Sequence, residues 1–251
     1  TNLDGTAQAK IQVRGAMATP QVDATYSVTG ARFRRPDAAL IPALSVQGSG
    51  AVSGNQASVD ARLRAGGATN LTLKGKATIP SGAGPLSGSA TVTGTIDVAP
   101  FASLLGNDLR NITGTLRPNL TLDLSGSRIS GSGGIDFTNG AVALPESGMR
   151  LSGGEGRIAL QGDTVQVQRL TFQTGRNGTL SATGTVRLDA AQGVAPDISV
   201  TSRNALLVNR PDLVAVISSS LEVSGSTASG IDISGPITID RAEIFVGSQQ
   251  S

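Results

Sequence analysis

Residues 120–124 have the sequence Leu-Thr-Leu-Asp-Leu, in which apolar and polar side chains strictly alternate. Successive side chains of a β-strand point to opposite faces of the sheet, so this alternation predicts a strand with one apolar and one polar face. The same period of two recurs along most of the chain, for example at Val165 and Val167 and at Val186 and Leu188. The sequence therefore predicts an all-β protein.

Turn signals separate these runs at intervals of roughly 8–14 residues, which predicts about 18 strands in a meander or barrel-like order. Asn139-Gly140 and Asn177-Gly178 are the strongest signals, because Asn-Gly favours the tight turn of a hairpin. Gly153-Gly154 is a further predicted turn. The apolar period shifts after Val167, which predicts a β-bulge near Arg169.

Helical structure is expected in one or two short stretches only. Residues 100–105 begin with proline and carry apolar side chains, and they predict a short helical turn. Residues 210–213, Arg-Pro-Asp-Leu, predict another short turn ahead of a strand. The chain has few Lys, Glu and Met residues, which argues against long helices.

The composition excludes several classes of functional site. The chain of 251 residues contains no Cys and no His. This excludes disulfides, thiol nucleophiles, the common zinc and haem sites and the Ser–His–Asp triad. Its net charge of +2 is spread along the chain, and it has only five Phe and one Tyr, so binding of nucleic acid is not predicted. We predict no cofactor, no metal and no enzymatic activity.

A sheet with one apolar face must cover that face. It can pack on a second sheet, close into a barrel, or curl around a ligand. A lipid-facing barrel needs girdles of aromatic residues, which this chain lacks. The small side chains suit a filled core poorly. We therefore expect a long curled antiparallel or mixed sheet with a repeat-like character and a hydrophobic concave groove. A closed core remains the alternative.

The second half of the chain resembles a known family through four phrases in a fixed order. They are GGIDFTNGAVALPESGMRLSGGEGRIAL, VQVQRLTFQTGRNGTLSATGTVRLD, PDISVTSRNALLVNRPDLVAVISSSLEVSG and GIDISGPITIDRAEIFV. Together they are similar to the C-terminal region of the TamB family, within the AsmA-like group of bridge-like lipid carriers. We expect a fragment without the family's membrane anchor. Residues 1–130 are expected to form a β-rich groove segment with a weaker resemblance and no matching phrase. Residues 131–251 are expected to form the TamB-like segment, continuous with the first.

The resemblance implies a taco-like sheet in the periplasm of a Gram-negative bacterium, as part of a protein anchored in the inner membrane. It implies movement of phospholipids between the membranes, assembly of outer-membrane proteins such as autotransporters, and a TamA-like outer-membrane partner. Two other functions stay open. The chain could be a chaperone or scaffold that pairs with client strands, or a purely structural β-solenoid adhesin domain.

The predicted lining of the groove consists of the larger apolar residues on alternating positions. These residues are Leu120, Leu122, Leu124, Ile135, Phe137, Val165, Val167, Val186, Leu188, Ile198, Val200, Leu221, Val223, Ile231, Ile233, Ile244 and Val246. Phospholipid acyl chains are the predicted ligand. Arg32, Arg34 and Arg35 form the one basic cluster, and they could contact anionic headgroups. A solvated loop or protection of an edge strand explains the same cluster without a ligand.

Overall fold

The structure is a computed structural model that describes residues 2–16, 21–34, 42–80, 82, 84–104, 108–126, 128–189 and 193–245. The described part of the chain forms 15 strands and one short 3-10 helix, Ala99–Leu104. The strands are β1 (Asn2–Arg14), β2 (Gln21–Arg34), β3 (Leu44–Ser53), β4 (Gln56–Ala65), β5 (Thr69–Thr78), β6 (Ser87–Asp97), β7 (Arg110–Ser125), β8 (Arg128–Leu144), β9 (Met149–Gly162), β10 (Thr164–Thr174), β11 (Gly178–Asp189), β12 (Gly193–Asn209), β13 (Leu213–Ser226), β14 (Gly230–Ser234) and β15 (Ile237–Ile244). The prediction of an all-β protein is confirmed.

All 15 strands belong to one sheet. Strands β1 to β14 follow one another in chain order, and β15 pairs with β13 beside β14. The pairs with a defined register are all antiparallel, as expected when short turns join consecutive strands. Among the described residues β1 pairs with β2 alone, so the sheet is open and not a closed barrel.

Two of the predicted turns are wrong, and the strands are therefore fewer and longer than expected. Asn139-Gly140 lies inside β8, and Asn139 adopts a φ of 56° there. Gly153, with a φ of 59°, lies inside β9. At both positions the left-handed backbone produces an irregularity within a strand and not a reversal of the chain. Asn177-Gly178, in contrast, lies at the predicted turn between β10 and β11. Asn177 belongs to the turn, and Gly178 is the first residue of β11.

Three local predictions are confirmed. The register of β10 shifts between Val167 and Arg169 relative to β9, which is the expected bulge. The 3-10 helix Ala99–Leu104 covers most of the predicted helical turn. Arg210 and Leu213 exchange two backbone hydrogen bonds, of 2.9 and 3.2 Å, and close the turn between β12 and β13.

The chain divides into two compact units. Unit 1 comprises Thr1–Leu104 and Leu116–Ile135, and unit 2 comprises Leu105–Thr115 and Asp136–Ser251. Buried hydrophobic residues are sparse in both units, and most of them are alanines. Ile112 and Leu151, both in unit 2, are the only larger buried hydrophobic residues of the described chain, with 9% and 8% of their surface exposed. A filled core would bury many more aliphatic side chains.

Candidate functional site

Strands β10 to β14 of unit 2 carry rows of apolar residues that run across the sheet. Directly opposed residues of antiparallel strands lie on the same face. Val167 lies opposite Gly184, and this row continues through Ile198 and Val223 to Ile233. The register therefore brings four residues of the predicted lining into one row. We call the face that carries this row the unit 2 apolar face.

Neighbouring rows extend the same face on both sides. Leu170 begins a row that passes through Ala182 and Val200 to Leu221. Val165 and Val186 form a directly opposed pair on the other side. The backbone of the predicted Leu188 lies opposite Val194, but the side chain of Leu188 lies outside the described part of the structure.

The larger side chains of these rows are half-buried. Val167, Val186, Ile198, Val200 and Leu221 all retain part of their accessible surface. An aliphatic residue beneath a second layer of side chains is usually buried completely. The partial exposure of these side chains shows that the described part of the chain does not cover the unit 2 apolar face completely.

Two phenylalanines of unit 2, Phe137 on β8 and Phe172 on β10, pack against each other. The ring centroids of Phe137 and Phe172 are 6.0 Å apart, with an angle of 54° between the rings. Gly140 and Gly154 leave room for them, because a Cβ atom at either position would overlap a ring. Phe137 was a predicted lining residue. Phe172 was not, although the shifted period of β10 placed it next to Leu170.

Unit 1 contains an apolar cavity of about 320 Å³. Leu122 and Leu124 of β7 line this cavity together with Ala57, Ala77 and Gly88 of strands β4 to β6. This cavity is open to solvent, and it extends across strands β4 to β7. The predicted Leu120 on β7 and Ile135 on β8 are half-buried in the same unit.

Small residues form the floor of this cavity. Val59, Gly75 and Ala90 lie in one row across β4, β5 and β6 and line it. A Cβ atom added at Gly75 would lie 3.1 Å from Cγ1 of Val59, so a side chain at this position would crowd Val59 and occupy part of the cavity. The sequence-based prediction missed these residues because Ala and Gly give only a weak apolar signal. Their alternation with Ser58 and Lys76 was the one indication of their face.

Strands β14 and β15 end the sheet with an exposed apolar edge. Ile231, Ile233 and Ile244, all predicted lining residues, expose 48%, 61% and 75% of their surface. Ile237 and Ile239, which were not predicted, expose 62% and 64%. We call these five isoleucines the C-terminal apolar edge. The predicted Val246 lies outside the described residues.

The basic cluster lies at the end of a strand. Arg32 is exposed on β2, directly opposite Asp4 of β1. This cross-strand arrangement of opposite charges is favourable by itself. The backbone of Arg34 lies opposite Asn2, whereas the side chain of Arg34 and all of Arg35 lie outside the described part. The structure thus places Arg32 in a regular strand and not in a loop.

One carboxyl group has a shifted pKa. The guanidinium of Arg210 donates hydrogen bonds of 2.9 and 2.7 Å to the carboxylate of Asp212 and holds the pKa of that group below its usual value. Both residues belong to the turn between β12 and β13, so this pair stabilises a hairpin. No group of three or more potential metal ligands occurs among the described residues. The described helical structure includes nothing long and apolar enough to cross a membrane.

Comparison with known proteins identifies one family. The family model of the TamB C-terminal domain matches residues 168–251, which include most of β10 and all of β11 to β15. Three of the four phrases that carried the resemblance fall largely within this segment, and the first phrase precedes it. Neither the curated proteins nor the solved structures gave a significant match to the chain.

Proposed function

We propose that the chain is a periplasmic segment of a bridge-like protein of the TamB family that conducts phospholipids between the inner and outer membranes, because residues 168–251 match the model of the TamB C-terminal domain. One observation carries this proposal. The apolar rows of unit 2 are half-buried, so the described part of the chain does not cover them completely. The apolar cavity beneath Leu122 and Leu124 in unit 1 supports it further.

The proposed mechanism is passive. An acyl chain that leaves water for an apolar surface gains about 0.8 kcal/mol for each buried CH₂ group. Ile198, Val223 and Ile233 repeat nearly the same aliphatic surface on the three consecutive strands β12, β13 and β14. Many equivalent weak sites allow a lipid to move on, whereas one deep pocket would retain it. The charged headgroup stays in water, because burying it unpaired costs several kcal/mol.

The family also suggests the setting of this segment. We propose that it belongs to a protein anchored in the inner membrane and that it acts with a TamA-like partner in the assembly of outer-membrane proteins. The anchor and the partner are proposals from the family.

A second candidate function is strand pairing with client proteins. The C-terminal apolar edge favours it, because β14 and β15 pair only with β13 among the described strands. A free strand edge can accept a further strand through backbone hydrogen bonds. In this alternative the exposed isoleucines would pack against alternating apolar residues of an unfolded β-barrel protein.

Lipid carriage can be tested on the purified chain. We would express it in a Gram-negative host, purify it without detergent and identify bound phospholipid by native mass spectrometry. Val186→Asp places a carboxylate on the apolar face, and we expect it to remove at least about nine-tenths of the lipid, since burying an unpaired carboxylate is costly. Thr183→Asp changes an exposed residue of the same strand on the opposite face, and this control should keep the lipid.

Two results would contradict the proposal. One is a wild-type chain that is folded, as judged by its circular dichroism, and yet carries no phospholipid. The other is equal loss of lipid in both variants, because then the face would not matter. A lipid-free chain that still binds an unfolded outer-membrane protein would favour the second function.

A further inference from the structure

The polar face of unit 2 contains a cleft that the proposed lipid function does not use. Its volume is about 730 Å³, and strands β9 to β12 form it. We call it the polar cleft. Its lining includes the charged residues Glu155, Arg169 and Arg203 and the hydroxyl-bearing residues Thr171, Ser181 and Thr201.

Two irregularities of the strands frame the polar cleft. Gln168 is the additional residue of the bulge between Val167 and Arg169. Gly153, with a φ of 59°, lies at a second register shift of the same strand pair. Bulges redirect side chains and are frequent next to functional sites. Both irregularities place their residues in the lining of the cleft.

The two arginines of the cleft, Arg169 and Arg203, outnumber its one carboxylate, that of Glu155. Arg169 lies directly opposite Arg157, which is unfavourable for two like charges. Arg157 lies 3.5 Å from Asp136, so its charge is compensated. The side chains of Arg169 and Arg203 are exposed and make no ion pair or hydrogen bond within the described part of the chain. Such an unfavourable local arrangement is typical of a binding site.

Hydroxyl groups occupy the space between the two arginines. Thr171, Ser181 and Thr201 lie opposite one another in one row across β10, β11 and β12. Thr171 and Ser181 donate only long hydrogen bonds, of 3.4 and 3.5 Å, to backbone carbonyls. Their oxygen atoms therefore remain able to accept hydrogen bonds from a ligand.

These groups define the chemistry of a ligand. Arg169 and Arg203 lie on strands separated by β11, about 10 Å apart across the sheet. Arg203 lies opposite Thr179, whereas Arg169 precedes Leu170, which lies opposite Ala182, so the arginines are also offset along the strands by roughly 13 Å. A single small anion cannot reach both of them without the side chains folding inward. We infer that the polar cleft binds an anionic oligosaccharide. Its acidic groups would pair with the two arginines, and its hydroxyl groups would lie along the row of Thr171, Ser181 and Thr201.

The inference goes beyond lipid carriage and can fail separately from it. Thr171 and Thr201 alternate along their strands with Leu170 and Val200, which belong to the apolar face. The polar cleft and the apolar face therefore lie on opposite sides of the sheet. A variant such as Val186→Asp, designed to lose lipid, should bind the oligosaccharide as well as the wild type does.

Isothermal titration of the whole chain with tri-galacturonate tests the inference, with neutral maltotriose and inorganic phosphate as comparison ligands. We expect Arg169→Ala with Arg203→Ala to weaken the binding of tri-galacturonate roughly tenfold or more, since each removes a charge-assisted contact. Arg176→Ala with Arg187→Ala removes the same charge from exposed positions outside the cleft and serves as the matched control. Glu155→Gln should strengthen binding a few-fold, which a folding defect would not do.

Four results would each overturn the inference. They are equal affinity for maltotriose, equal weakening in the control variant, no measurable binding of tri-galacturonate, or binding of inorganic phosphate at the same strength. Cell-wall glycan and the acyl-free oligosaccharide of lipopolysaccharide, offered separately to the wild type, distinguish two sources of anionic oligosaccharide. Binding to either one supports the site, and binding to neither contradicts it.

Discussion

Gly140 is a position at which one added side chain would disturb the apolar face of unit 2. A Cβ atom there would overlap the ring of Phe137 and lie 3.0 Å from Cα of Gly154. Glycine in the interior of a strand normally weakens it, so the packing of the rings explains the residue. The same relation holds at Gly154, where the ring of Phe172 occupies the space.

We therefore expect Gly140→Val to lower the free energy of unfolding by about 1–3 kcal/mol, because the ring of Phe137 must move to an unfavourable position. Urea denaturation followed by circular dichroism measures this change. Gly67→Ala is the control, since Gly67 lies in a turn with no atom within 4 Å of an added Cβ. Equal stability of the two variants would show that the rings do not need the glycine.

At the scale of one element, strand β10 keeps a single apolar face through its bulge. Val165 and Val167 precede Gln168, and Leu170 and Phe172 follow it. Without the additional residue the two pairs would alternate regularly with the polar residues between them. Both neighbouring strands, β9 and β11, already pair with β10 as if Gln168 were absent.

Deletion of Gln168 should consequently be tolerated, with a change in stability within about 1 kcal/mol, because it removes a bulge without turning any side chain over. Deletion of Thr185 from the regular strand β11 should cost much more, since it moves the following residues, Val186 among them, to the opposite face. Thermal unfolding of both variants tests this. Equal destabilisation by the two deletions would mean that the bulge itself supports the fold.

The bulge could be predicted from the sequence because large apolar residues mark the face on both sides of it. The irregularities at Asn139 and Gly153 could not. Asn-Gly and Gly-Gly signals specify a local backbone conformation, and pairing of the flanking residues decides whether the chain reverses there. Leu122 could also be predicted, because it is a large apolar residue that alternates with the polar residues Thr121 and Asp123. The floor at Gly75 and Ala90 could not, because it depends on the absence of large side chains.

At the scale of the whole molecule, the sheet ends in strands whose apolar side chains are exposed. Every residue of β14 and β15 is exposed, whereas β13 beside them is half-buried on the same face. Ile237 and Ile239 alternate with polar residues along β15, as residues on one face of a strand do. The degree of exposure could not be predicted in this way, because it depends on what lies next to the last strand and not on the strand itself.

An exposed apolar edge strand pairs readily with another chain, so we expect the chain of 251 residues to associate at high concentration. Ile239→Lys should reduce this association several-fold, because the lysine must remain solvated and so opposes the approach of a second strand. Sedimentation velocity over a range of concentrations measures the effect. Thr238→Lys places the same charge on the polar face of β15 and should reduce association less. If both variants associate as strongly as the wild type, contacts elsewhere on the molecule cause the association, and the C-terminal apolar edge is not an adhesive surface.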